Sequence, residues 1–197
     1  APRNRYYAIK EALINTVHAV HIPWRLVQAS TLASLNEELA RYRTVFTTNY
    51  DLLNYWALQH QSDAIDDLFN GANASFDLSE TATDKPRLLY LHGGLHLVRN
   101  QDGTARKLTS TEGTLLGSFA INNTLKTLDD VPLFVNEGPT ADKLKTIRSS
   151  DYLSFCYEQL LAHGDSLCIF GHALGEQDAH LVRALRLARP KCVAVSI

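Results

Sequence analysis

Apolar positions along this chain fall into two alternating patterns, short continuous runs and longer amphipathic stretches. "TVFTTNYD" (44–51), "RLLYL" (87–91), "VPLFVNEG" (131–138), "SLCIFG" (166–171) and "KCVAVSI" (191–197) are runs of strand length, rich in β-branched and aromatic residues. "RYYAIKEALINTVHAV" (5–20), "STLASLNEELARY" (30–42), "LLNYWALQH" (52–60), "SSDYLSFCYEQLLAHG" (149–164) and "EQDAHLVRALRLA" (176–188) space their apolar residues at helical intervals. Ser30 or Thr31 is the expected cap of the second helix, and in the fourth a serine opens the helix and Gly164 closes it. The polar stretch 70–86 predicts a loop, and the long stretch from Gly93 to about Asp130 reads as irregular. Buried strands alternating with helices predict a single α/β domain over residues 1–197, with a parallel sheet covered on both faces.

Composition narrows the class without naming a function. The chain has 197 residues, 45% hydrophobic and 20% charged, with a net charge of -2. No Lys/Arg cluster predicts a nucleic-acid groove. No apolar run is long enough to span a bilayer. Cys156, Cys168 and Cys192 are odd in number and lack metal-ligand spacing, so neither a zinc module nor a disulfide framework is expected. Cys168 and Cys192 lie in apolar runs that predict buried thiols, and a cytoplasmic setting follows as the default. The chain has no Met, so it is expected to be part of a longer one.

In parallel α/β sheets ligands bind beyond the carboxyl ends of the strands. Three strand-like runs close on polar or glycine-rich signatures: Thr47-Thr48-Asn49-Tyr50-Asp51, His92-Gly93-Gly94, and Gly171-His172-Ala173-Leu174-Gly175. If the strands run parallel, all three meet at one edge. His18 and His21 stand at H-x-x-H spacing without a third ligand nearby, and Gly93-Gly94 separate His92 from His96, so no metal is expected. Glu137 and Lys143 are candidates for a pocket wall. Simpler roles compete: Asn49 and Asp51 as caps of the helix from Leu52, His92 as a packed strand-end histidine, Gly171 and Gly175 as packing glycines, and Asp178 as a favourable charge at a helix start.

Two resemblances organise these motifs. "HGG" after a strand resembles the oxyanion loop of α/β-hydrolases, and "GHALG" resembles their nucleophile elbow G-x-S-x-G. Ala173 occupies the nucleophile position, and a methyl group cannot attack a carbonyl. Asp178 and His180 lie in the helix immediately after it, so no working triad is expected.

"TTNYD", "LHG" and "FGHALGEQDAHL", in that order, resemble segments of the sirtuin-like NAD-binding family. The similarity runs from Thr47 to Leu181. It implies a Rossmann-like three-layer fold with a mainly parallel sheet, and NAD as substrate, cleaved between nicotinamide and ribose. It places Asn49, His92 and Asp51 in catalysis: Asn49 on the ribose, Asp51 holding the loop, and His92, with an ordinary pKa of about 6.5, taking a ribose hydroxyl proton. Thr48, Gly93, Gly171, His172 and Asp178 are the implied cofactor-binding residues.

The four-cysteine zinc module of sirtuin deacylases is absent, which points to the bacterial sirtuin-like NAD glycohydrolases and, through them, to anti-phage defence. The family's first glycine-rich turn is missing before residue 47 and is expected upstream of Ala1. The expected partner is NAD or a related nucleotide, bound by a monomer or a homo-oligomer, with no nucleic acid and no membrane. The alternative is a sirtuin-like domain that binds a nucleotide or a partner without catalysis.

Overall fold

The computed structural model describes residues 21–61, 63–70, 74–109, 131–135 and 138–196, with Ala12 and Thr16. The helix expected over 5–20 therefore lies almost wholly outside the described residues. Strands β1 (Thr44–Thr47) and β4 (Arg87–Tyr90) pair in parallel, with Thr44 opposite Arg87 and Thr47 opposite Tyr90. Both strands consequently end at the same edge. The Leu91 N–H donates to the Thr47 carbonyl at 2.8 Å and extends the ladder by one step. Residues 48–51 and His92 thus leave the pair side by side. A second parallel pair joins β8 (Leu167–Ile169) to β9 (Val193–Val195).

The largest sheet is antiparallel. Its order is β2 (Phe69–Asn70), β3 (Ser75–Phe76), β6 (Ala105–Lys107), β5 (Gly93–Arg99) and β7 (Val131–Phe134). The molecule is a mixed α/β fold, and the mainly parallel character expected from the sequence is not that of this sheet. Much of it comes from segments read as loop or irregular, over 70–86 and 93–130. The physical reason lies in β5, "GGLHLVR", which is buried along nearly all its length. A strand buried on both faces shows no alternation, and its two leading glycines look like a turn.

Gly93 is where the chain turns from β4 into β5. Its φ is +72°, and a Cβ there would stand 2.1 Å from the Leu133 carbonyl oxygen of β7. Only glycine permits both the left-handed backbone and that approach.

Five described helices surround these strands: α1 (Ala29–Leu39), α2 (Leu53–His60), α3 (Thr140–Arg148), α4 (Asp151–Leu161) and α5 (Ala179–Ala188). The Ser150 hydroxyl caps α4 by accepting from the Leu153 N–H at 3.4 Å, as its sequence predicts. Helix α1 differs: it begins at Ala29 behind Gln28, with no side-chain cap from Ser30 or Thr31. Helix α3 was not foreseen. The main core packs Leu88, Leu89 and Tyr90 of β4 against Tyr152, Leu153, Cys156 and Leu160 of α4. A smaller one joins Leu32, Tyr55, Trp56 and Leu95.

Two expectations about cysteine are corrected. Cys168 and Cys192 are exposed, because β9 and the middle of β8 face solvent, and Phe170 just after β8 is 86% exposed. Cys156 is the buried thiol, and burial pushes its pKa up to about 12. No helix among the described residues is long and apolar enough to cross a membrane.

Candidate functional site

A cavity of about 440 Å³ opens at the carboxyl ends of β1 and β4. Its lining includes Thr48, Asn49 and Asp51 after β1, His92 after β4, and His172 and Asp178 after β8. Three segments far apart in sequence therefore supply one polar site. His21, Tyr50, Val135 and Lys143 complete it.

The loop after β1 is held by its own side chains. The Asn49 N–H donates to Thr47 Oγ1 at 3.1 Å, and Asp51 Oδ1 accepts from the Leu53 N–H at 2.8 Å. Asp51 thus secures the first turn of α2, the simpler role weighed for it, and also lines the cavity. His21 Nδ1 lies 2.9 Å from the Ile22 carbonyl, while Nε2 accepts from the Leu52 N–H at 3.1 Å. The pairing places the proton on Nδ1 and ties residue 21 to the same loop.

On the opposite wall, His92 Nε2 lies 2.9 Å from His180 Nε2, in the first turn of α5. The rings are 5.1 Å apart and inclined by 25°. The Tyr157 hydroxyl donates to the His180 carbonyl at 3.0 Å and anchors that turn. Lys143 of α3 reaches Asp178 Oδ1 at 2.8 Å, and His172 Nε2 lies 3.8 Å from Asp178 Oδ2. Lys143 is only 4% exposed, so a buried ammonium faces a partly buried carboxylate across the junction of α3 and α5.

These contacts set the protonation states. Burial, followed by the neighbouring His180, lowers the His92 pKa to about 4, although Asp178 opposes the shift. The ordinary value near 6.5 expected from sequence does not hold. Burial also lowers His180. For Asp178 burial acts upward, but the hydrogen bond from the Lys143 ammonium and that ammonium's charge oppose it, and the carboxyl is held below its usual range. Both imidazoles are therefore neutral at pH 7, and at most one of the two facing nitrogens needs to carry a proton.

A stability consequence follows with a definite sign. Between pH 6.5 and about 4 the unfolded chain binds a proton at His92 that the folded chain refuses. Stability is therefore full above pH 6.5 and falls as pH drops toward 4, by about 2–3 kcal/mol from this residue. His96, buried on β5 with its pKa lowered by burial to about 3, acts in the same direction. Urea unfolding of wild type and His92→Gln from pH 7.5 to 4.5 checks this. The wild type should show the steeper loss, and parallel curves would contradict the assignment.

Two implied cofactor residues sit elsewhere. Gly93 does not line the cavity; it packs against the Leu133 backbone, a role that requires no ligand. Gly171 has φ +65° with nothing within 4 Å of a Cβ, which corrects the tight-packing role weighed for it. It borders a separate groove of about 260 Å³ whose walls include Phe46, Leu160, Ile169 and Leu181. Thr48, Asn49 and His172 border both spaces. Glu137 lies outside the described residues, whereas Lys143 is at the cavity as expected. Sequence reasoning missed His21 as a wall residue and His180 as the partner of His92. A D-x-H pair opening a helix, as at Asp178 and His180, was the available signal.

The fold and site define a mixed α/β protein with a histidine- and carboxylate-lined pocket at parallel strand ends. The chain belongs to the family described as a domain of unknown function, DUF4917, whose model matches residues 2–197. No curated protein matches it significantly.

Proposed function

We propose that this chain is a sirtuin-like NAD-binding domain that hydrolyses NAD to nicotinamide and ADP-ribose. In this reading the two parallel strand pairs belong to a Rossmann-like arrangement. One observation carries it: residues of three strand-end segments, Thr48–Asp51, His92, and His172 with Asp178, line a single cavity of about 440 Å³. Such a cavity lies within the range for small-molecule and cofactor sites.

The chemistry assigns work to each residue. The bond between ribose C1′ and the nicotinamide nitrogen breaks, the electron pair leaves with nicotinamide, and C1′ becomes cationic. Water adds at C1′ and releases one proton. The Asn49 amide hydrogen-bonds the ribose and orients the water. Asp51, fixed by the Leu53 N–H, holds the loop. Neutral His92 accepts a proton, and its low pKa makes it a weak base for an ordinary alcohol. A ribose hydroxyl next to a developing cation is more acidic, and transfer becomes feasible there; the proton that water loses then restores the hydroxyl, and His92 gives its own to solvent, the one proton of the overall hydrolysis. Asp178 beside His92 stabilises the imidazolium that forms.

The same weakness favours a second reading, nucleotide binding without turnover. A cytoplasmic setting is proposed from the free cysteines, and a role in bacterial defence from the sirtuin resemblance alone.

The experiment is a nicotinamide-release assay on the full chain, beside hydrolysis of p-nitrophenyl acetate. Nicotinamide should appear and ester turnover should not, even in Ala173→Ser, since the nearest acid and base after it, Asp178 and His180, stand in the adjoining turn and helix. NAD bound without nicotinamide release would establish the second reading. Ester turnover abolished by changing His180 would replace both with a hydrolase.

A further inference from the structure

Two residues of the cavity lining, His92 and Asp178, join His180 in a set of donor atoms that the NAD reading does not use together. His92 Nε2, His180 Nε2 and a carboxylate oxygen of Asp178 all lie within 4.8 Å of one another. We propose that His92, Asp178 and His180 form a binding site for a divalent transition-metal cation, with zinc the best match. The inference does not rest on NAD binding.

The donor set is two imidazoles and a carboxylate, which suits zinc and its neighbours better than magnesium or calcium, whose sites are built from oxygen. Both imidazoles are nearly inaccessible, His92 at 7% and His180 at 1% exposure, so their orientation is set by the fold. His92 leaves the end of β4 and His180 projects from the first turn of α5, with its backbone anchored by Tyr157.

The Nε2 atoms face each other at 2.9 Å. Two imidazole nitrogens on one tetrahedral zinc, each about 2.0–2.1 Å from it, stand roughly 3.3 Å apart. The ring centroids, 5.1 Å apart, put the two nitrogens nearly head-on, so admitting the ion takes an opening of a few tenths of an ångström and a tilt of the rings toward a common point.

The surroundings are those of a supported ligand set. Lys143 donates to Asp178 Oδ1 at 2.8 Å and fixes the carboxylate, leaving Oδ2 directed toward His172 Nε2 at 3.8 Å. His172 Nδ1 accepts from the Leu174 N–H at 2.9 Å, so its Nε2 carries the ring proton and faces the carboxylate as a supporting neighbour outside the ligand set. The cavity gives solvent and small ligands a way in. Two features limit the affinity. Lys143 adds a positive charge beside the ion, and His180 Nδ1 has no hydrogen-bond partner among the described residues. Dissociation constants on the order of micromolar are expected, weaker than at structural zinc sites.

No spacing in the sequence announced this site, because His92 and His180 are 88 positions apart. The expectation of no metal rested on local H-x-x-H and C-x-x-C spacing, which cannot register ligands brought together by the fold.

Calorimetric titration of Zn²⁺, Co²⁺ and Mg²⁺ into the metal-free full chain tests the proposal, with no NAD present. Zn²⁺ and Co²⁺ should bind with one equivalent, Mg²⁺ should not, and bound Co²⁺ should show the visible absorption of a low-coordinate site. His180→Gln should weaken Zn²⁺ by at least tenfold, while His60→Gln, on the exposed end of α2, should not. Asp178→Asn provides a second ligand variant if His180→Gln fails to fold. Absence of stoichiometric Zn²⁺ binding to wild type overturns the proposal, as does equal affinity in a folded ligand variant. Metal binding without nicotinamide release retires the NAD hydrolysis reading and keeps this one; the reverse pattern does the opposite.

Discussion

Gly93→Ala should destabilise the chain by on the order of 3 kcal/mol or more, the largest stability effect expected of any single methyl group here. Two costs add. A non-glycine residue held in the left-handed region costs at least about 1 kcal/mol, and overpacking typically adds 1–3. The overpacking is specific: the new Cβ would meet the Leu133 carbonyl oxygen at 2.1 Å, and backbone in a paired strand cannot move aside as a side-chain tip can.

Gly171→Ala is the internal control. Its φ of +65° imposes a similar backbone penalty, but nothing lies within 4 Å of the added carbon, so about 1 kcal/mol is expected. Urea unfolding of the two variants separates strain from collision. Equal losses would mean that β5 and β7 do not approach each other as described, and with them the turn that delivers His92 to the cavity.

His92→Gln should lower nicotinamide release by roughly 10²–10⁴, the usual scale for losing a general base. Glutamine is the informative replacement. It keeps a polar group near His180, whereas His92→Ala would leave a buried imidazole unpaired. The strand-end position alone suggests a residue with few contacts, but His92 is buried and packs against His180, so alanine would cost stability as well. Thermal unfolding recorded beside the activity assay keeps the two effects apart. A folded His92→Gln chain with full turnover would remove His92 from the chemistry.

The sequence carried the strand-end residues well and the sheet poorly, for reasons visible in particular segments. Thr48–Asp51, His92 and His172–Asp178 were legible because β1, β4 and β8 are apolar runs that stop on polar residues. Parallel pairing of β1 with β4 then brings the first two together. Strand β5 was hidden because burial on both faces erased its alternation, and β2 and β3 because each is only two residues long. Solvent exposure of Cys168 and Cys192 was unreadable, since an apolar run looks alike whether or not its edge is covered. The lowered basicity of His92 comes first from burial and then from His180, and only the fold supplies either.

The most direct test of the central claim is hydrogen–deuterium exchange of the full chain with and without saturating NAD. NAD should slow exchange in peptides covering residues 48–53, 91–95 and 171–180, the segments that meet at the cavity. Protection confined to other segments, or none at millimolar NAD, would contradict the claim that these strand ends form an NAD site.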